Sequence, residues 1–181
     1  MRLFQTERTT VRQMTLADAP FILELVNSPT WIRFIGDRNI RDLDAAQRYL
    51  KEGFLAYYAT PGYSYYLVET KDEEPIGICG FLNKAYLDHE DLGFAFNERY
   101  QGQGFGYEVG RPIMEYGIDR FGFRVLDAVT NDDNAASIGL LSKLGFRSAG
   151  TIEVPGSGKG RLFRWELEGS SGPHEQADRE E

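Results

Sequence analysis

The stretch Glu98-Arg-Tyr-Gln-Gly-Gln-Gly-Phe-Gly-Tyr107 places glycines at 102, 104 and 106, directly after the alternating run Asp91-Leu-Gly-Phe-Ala-Phe-Asn97 and directly before a helix-like segment. Glycine gives up conformational entropy in any ordered element, so three at alternate positions mark a turn or a close approach of backbone to something. A helix N-terminus adds unpaired N–H groups and the positive end of a dipole, which together favour an anion, phosphate above all. The spacing excludes the common phosphate loops. Counting from Gly102 puts Tyr107 where G-x-G-x-x-G needs its third glycine, and counting from Gly104 puts Val109 there. The run has no lysine for a P-loop, and the lysine strand and catalytic loop of a kinase are missing.

In the preceding run, the large residues Leu92, Phe94 and Phe96 alternate with Gly93 and Ala95, so a strand here has one bulky face and one nearly bare face. The bare face is expected to leave room for a ligand lying along the backbone. A slender, amide-rich arm ending in a pyrophosphate matches both halves of the stretch.

Working outward, Arg8 to Gln13 reads as a first strand, and Thr15 to Asp18 as a capping box opening a helix whose face is Phe21, Ile22, Leu25 and Val26. Asn27-Ser-Pro29 is expected to stop that helix, and Trp31, Phe34 and Ile35 to lie in a loop. A second helix is expected from about Asp42 to Tyr57, with Leu43, Leu50 and Phe54 on one stripe. Strands follow at Tyr63 to Thr70, Pro75 to Ala85 and Asp91 to Asn97. The helix opening in the glycine run extends to about Phe121, with Pro112 predicting a kink or a late start. A strand from Arg124 to Thr130, a short helix from Asn134 to Leu144 ended by Gly145, and strands at Phe146 to Ile152 and Arg161 to Leu167 complete the chain. The order β-α-α-β-β-β-α-β-α-β-β predicts an α/β domain with a mixed sheet.

A length of 181 residues with 41% apolar content suits one domain, residues 1–168. Residues 169–181 lack any large apolar side chain and are expected to form a disordered acidic tail. A single cysteine, Cys79, excludes an internal disulfide framework, and its neighbours Ile78, Gly80 and Phe81 point to a buried strand thiol rather than a nucleophile. His89 and His174 offer no zinc spacing, so no metal is expected. The net charge of −8 argues against general nucleic-acid binding. With no run of membrane-spanning length and no apolar segment at the start, the expected location is the cytoplasm, away from the membrane.

The run Gln101-Gly-Gln-Gly104-Phe-Gly106 matches the Q/R-x-x-G-x-G/A signature and resembles the GNAT superfamily of acyl-CoA-dependent N-acetyltransferases. Asn134-Ala-Ala-Ser137 with Lys143-Leu-Gly-Phe146 is similar to the N-x-x-S…K-L-G-F segment of the branch that acetylates ribosomal-protein N-terminal alanines. Thr6 to Arg12, Ile76-Gly77 and Leu92-Gly-Phe94 follow that branch in order, so the resemblance spans about residues 5–167. It implies a GNAT-like fold, with a mostly antiparallel sheet of six to seven strands flanked by about four helices.

The resemblance also implies acetyl-CoA as acyl donor without a metal. Backbone N–H groups of Gln101, Gly102, Gln103, Gly104, Phe105, Gly106 and Tyr107 would hold the pyrophosphate, and Phe94, Ala95 and Phe96 would pair with the pantetheine arm and offer an oxyanion donor. Asn134 is implied as a further contact. Lys143 fits either an outer phosphate or the negative end of its own helix. Ser137 is implied as the acid for the leaving thiolate, since Leu140 and Leu141 stand where many members carry a tyrosine; a hydroxyl bonded to its own helix is the alternative. Asp91 is the candidate base, with Glu90 and Glu69 as alternatives, and Trp31 and Phe34 either line the acceptor pocket or pack between helices. The acceptor is a primary amine, either a protein N-terminus or a small molecule such as a polyamine, amino acid or antibiotic. A non-catalytic CoA- or peptide-binding module is the other class, and the chain is expected as a monomer or homodimer.

Overall fold

The computed structural model describes residues 1–59 and 63–168; the expected tail lies outside the described residues. Strands β1 (Arg2–Gln5) and β2 (Thr9–Arg12) precede helices α1 (Ala19–Val26), α2 (Pro29–Phe34) and α3 (Leu43–Tyr49). Then come β3 (Tyr65–Thr70), β4 (Pro75–Leu82), β5 (Asp91–Phe96), α4 (Phe105–Phe121), β6 (Val125–Thr130), α5 (Ala135–Lys143), β7 (Arg147–Val154) and β8 (Gly158–Glu166). The described residues form one eight-stranded sheet in the order β1-β2-β3-β4-β5-β6-β8-β7. Every neighbouring pair is antiparallel except β5 and β6, which run parallel.

The central strands β3 and β4 are buried on both faces, so each face carries its own core. On one face Tyr66, Val68, Phe81, Leu92 and Leu126 pack with Ile113 of α4 and Leu141 of α5. On the other, Leu67 and Ile78 pack with Ile22 and Leu25 of α1 and with Ala46 of α3. Both cores reach β5, through Leu92 on the first face and Ala95 on the second.

Two elements differ from the expected order. β1 adds an eighth strand at the sheet edge, held by its ladder to β2. Pro29 does not end structure but begins α2: Ser28 caps it by accepting the Trp31 N–H, and proline suits a first helical position because the N–H it lacks would be unpaired there. α3 continues through a π-helical turn, Leu50–Phe54, and a 3₁₀ turn, Leu55–Tyr58. Leu50 and Phe54 face inward as expected, whereas Leu43 is exposed at the first turn and Ala46 takes the inward position.

α4 runs through Pro112 without a break. Its glycines at 106 and 110 are notches for α5: a Cβ on Gly106 would lie 2.7 Å from Leu140 Cδ2, and one on Gly110 would lie 2.8 Å from Leu144 Cδ1. The two contacts advance four residues together, so α4 and α5 run side by side in the same direction. The α5 N-terminus, with Asn134 to Ser137, therefore projects beyond the start of α4.

Candidate active site

The glycine run folds as a turn that delivers donors to the start of α4. Gly102 and Gly104 have φ of +72° and +85°, the left-handed region that side-chain-bearing residues rarely adopt. Among the described residues the N–H groups of Gly102, Gln103 and Gly104 donate no hydrogen bond, and the first turn of α4 adds orphan N–H groups behind them. Gly106 also seats α5, since a Cβ there would meet Leu140. Phe105 is buried, Tyr107 is exposed, and the Gln101 side chain donates to the Phe96 carbonyl at 2.8 Å.

A residue that the motif gave no role braces this turn. Arg8, between β1 and β2, donates to the Gln103 carbonyl at 3.1 Å and from Nε to Glu108 at 2.6 Å, and its guanidinium lies 4.2 Å from the Phe105 ring centroid. Its backbone N–H also donates to Glu108, at 2.8 Å. The Arg8–Glu108 pair thus ties the turn to the first turn of α4, with the guanidinium held beside the unpaired N–H groups. Only its place in the quoted Thr6 to Arg12 segment could have signalled it.

β5 and β6 are paired only at Asp91 and Asp127, with the Asp127 N–H donating to the Glu90 carbonyl at 2.9 Å; beyond that point they part like a fork. The Asn97 N–H donates across the ladder to the Ile76 carbonyl of β4, at 2.9 Å. By alternation, the N–H and C=O of Phe94 and the N–H of Phe96 turn to the unpaired edge inside the fork.

Asp91 is the wedge at the base of that fork. It is 2% exposed; its carboxylate accepts Lys84 Nζ at 2.8 Å and the N–H of Val129 on β6. Burial raises its pKa, and the Lys84 charge, the two hydrogen bonds and the opposing push of Asp127 leave the net direction upward. Asp127, fully buried on β6, pairs with Arg164 through two hydrogen bonds of 2.8 and 3.1 Å. The alternative carboxylates have other partners. Glu69 accepts Arg12 Nε at 2.8 Å, in a cluster where Arg12 also holds Asp18, and Glu90 shares a hydrogen bond with Tyr63.

The face expected to be bare is covered. Tyr65, Gly80 and Gly93 lie in one cross-strand row of β3, β4 and β5. Gly80 admits the Ser64–Tyr65 backbone, and the Tyr65 ring fills the place of a side chain at Gly93, its hydroxyl 2.0 Å from where a Cβ there would stand. Ala95 packs against the core on the same side. Room for a ligand arm is therefore at the open edge of β5, not on its glycine face.

α2 ties the two arms of the fork together. The Thr30 hydroxyl donates to Glu98 at 2.6 Å on the β5 side, and Arg33 pairs with Asp133 at 2.9 Å on the β6 side. Trp31 is buried in the α1–α3 core with its Nε1 unpartnered, and Phe34 is half-buried under the Arg33 guanidinium. Nearby, Arg38, Tyr49, Gly53, Phe54, Tyr57, Tyr63, Leu82, Asn83 and Lys84 line a cavity of about 290 Å³. On the α5 side, Asn134 caps the helix by accepting the Ser137 N–H at 3.1 Å. The Ser137 hydroxyl is half-buried and donates to no described residue. Lys143 is exposed in the last turn of α5, nearer the level of Gly106 than of Asn134. Cys79 is 1% exposed, and burial pushes its thiol up to about 12. Among the described residues no cluster of ligating side chains could hold a metal, and no helix is long and apolar enough to cross a membrane.

The acetyltransferase (GNAT) domain model matches residues 8–147. The chain is 25% identical over 167 residues to an uncharacterized N-acetyltransferase, p20, of Bacillus licheniformis, covering 90% of this chain and 92% of that protein. Among solved structures, it is similar to RimL, a ribosomal L7/L12 α-N-protein acetyltransferase in complex with coenzyme A, with a TM-score of 0.81 and 14% identity over 92% of this chain and 98% of that one. It is also similar to the aminoglycoside acetyltransferase AAC(6')-Ib in complex with coenzyme A, with a TM-score of 0.72 and 19% identity over 87% and 94%. The forked sheet, the glycine turn at the start of α4 and these matches agree: the chain belongs to the GNAT acetyltransferase family and is an acyltransferase.

Proposed function

We propose that this enzyme transfers the acetyl group of acetyl-CoA to a single primary amine, with a protein N-terminus as acceptor. The residues fit the donor. Unpaired N–H groups from Gly102 to Gly104, the α4 dipole and Arg8 form a cradle for a pyrophosphate, and the free N–H and C=O of Phe94 suit an amide-rich arm in the fork. Bound acetyl-CoA supplies an activated acyl carbonyl and a thiol leaving group.

The chain supplies the rest. The Phe96 N–H faces the fork as a donor for charge developing on the acyl oxygen. Asp91, whose burial raises its proton affinity, is the carboxylate at the base of the fork and receives the proton that the ammonium must lose before its nitrogen can attack. Ser137, whose hydroxyl is uncommitted, returns a proton to the departing sulfur. A C–N bond forms as the C–S bond breaks, Ser137 recovers its proton from the newly bonded nitrogen, and the proton taken by Asp91 is the one released overall.

The observation that carries the acceptor class is the cavity lining. Among the described residues its ionisable walls are Arg38, Lys84 and tyrosines, with no carboxylate, and about 290 Å³ is at the low end for a ligand pocket. A polyamine or aminoglycoside needs anionic walls for its several cations, whereas a peptide end brings one amine and neutral amides. Thiol release from acetyl-CoA should be at least about tenfold faster in kcat/KM with N-terminal peptides than with spermine or kanamycin. Preference for the polycations would overturn the peptide acceptor, and CoA binding without transfer to any amine would favour a binding module. In the same assay Ser137→Ala should lower kcat about tenfold or more, and an unchanged kcat would remove Ser137 from the mechanism.

A further inference from the structure

We infer that the Tyr65 hydroxyl orients the attacking amine of the acceptor toward the acyl carbonyl; the inference rests on the acyl-transfer reading above. Three observations converge on this hydroxyl. Tyr65 begins in β3, Gly80 lets the Ser64–Tyr65 backbone come close to β4, and the ring reaches β5, where the absence of a side chain at Gly93 lets its oxygen lie against the backbone. Gly93 immediately precedes Phe94, whose N–H and C=O face the fork, and stands two residues from Asp91 on the same face of the strand. Among the described residues the hydroxyl has no hydrogen-bond partner, although the ring is fixed edge-to-face against Phe54, a wall of the cavity.

A glycine facing the tyrosine ring at position 93 is costly for packing alone, because it weakens its strand. What the arrangement achieves is an uncommitted oxygen against β5, beside Asp91 at the base of the fork. Burial first, and then the neighbouring Asp91 charge, hold the phenol protonated far above neutral pH. It therefore accepts a hydrogen bond from the amine N–H without taking its proton. The proton that the ammonium loses before attack goes to Asp91, the nitrogen forms its bond to the acyl carbon as the C–S bond breaks, its second proton passes to the thiolate by way of Ser137, the N–H held by Tyr65 stays on the amide, and the phenol keeps its own proton throughout.

Tyr65→Phe removes the oxygen and keeps the ring. With the full chain, titration calorimetry should use CoA and a conjugate in which glycinamide is joined to the CoA sulfur through an acetyl bridge, so that an amide N–H stands at the place of the attacking nitrogen. The variant should bind CoA within about twofold of the parent and the conjugate about five- to tenfold more weakly, the worth of one neutral hydrogen bond. Equal affinity of parent and variant for the conjugate overturns the inference, and so does an equal loss for CoA and conjugate, which marks a structural role. Failure of the parent to bind either molecule overturns the acyl-transfer reading and the inference with it.

Discussion

Gly104→Val is expected to raise the dissociation constant for acetyl-CoA about 100-fold. At φ +85° a β-branched residue is strained, at a cost of about 1–3 kcal/mol, and its Cβ would also stand 3.5 Å from Arg8 Nη2. The turn relieves that strain by rotating its peptide planes, which swings the N–H groups of Gln103 and Gly104 off the phosphates. Hydrogen bonds to charged oxygens contribute about 1.5–3 kcal/mol each, so losing one or two accounts for two decades of affinity. Calorimetric titration checks the value, and thermal unfolding of the unliganded variant checks that the fold survives. Gly106→Val is the contrast, because its Cβ meets Leu140 and its cost should appear in stability. An unchanged dissociation constant for Gly104→Val would refute the assignment of the turn to phosphate.

Lys84→Met should destabilise the protein by about 3 kcal/mol at pH 7 by leaving the Asp91 carboxylate buried beside Asp127 without its cation. The estimate sits at the low end of the range for broken buried pairs because Lys84 is itself 28% exposed. The sign of the pH dependence follows. Burial already raises the folded-state pKa of Asp91, and loss of Lys84 raises it further, so the protonated form is favoured in the folded state. The deficit relative to the parent is then full above that folded pKa and shrinks as pH falls through it. Urea unfolding at pH 8 and pH 5 should show the larger gap at pH 8. Adding Asp91→Asn to Lys84→Met should recover most of the loss, as expected for a coupled pair. Equal deficits at both pH values would mean that Asp91 in the folded variant does not change its protonation state between them.

The elements with a strong apolar period, α1, β3 to β5 and α4, lie close to where the sequence places them, because burial on a known face dictates both their type and their position. β1 was not legible: Arg2 to Gln5 are at most half-buried, and their ladder to β2, not a core of their own, makes them a strand. α2 was hidden by Pro29, which stops a preceding helix and starts a following one with equal ease. In the site, the turn at Gly102 and Gly104 could be read because positive φ leaves a mark in residue type. Arg8 could not, since it reaches Gln103 across 95 residues of chain. The Tyr65–Gly80–Gly93 row depends on the register of three strands, and a sequence shows two faces of each strand without showing which residues stand side by side.

Every turnover of the proposed reaction sets free a thiol within a few strands of the chain's one cysteine. Cys79 stands opposite Phe94 in the β4–β5 ladder, yet its sulfur is enclosed and stays protonated at any physiological pH. Thiol–disulfide exchange needs both a thiolate and access, and this residue offers neither. The enzyme should therefore tolerate oxidised CoA and glutathione without forming mixed disulfides, so that its output follows the supply of acetyl groups and not the redox state of the surroundings.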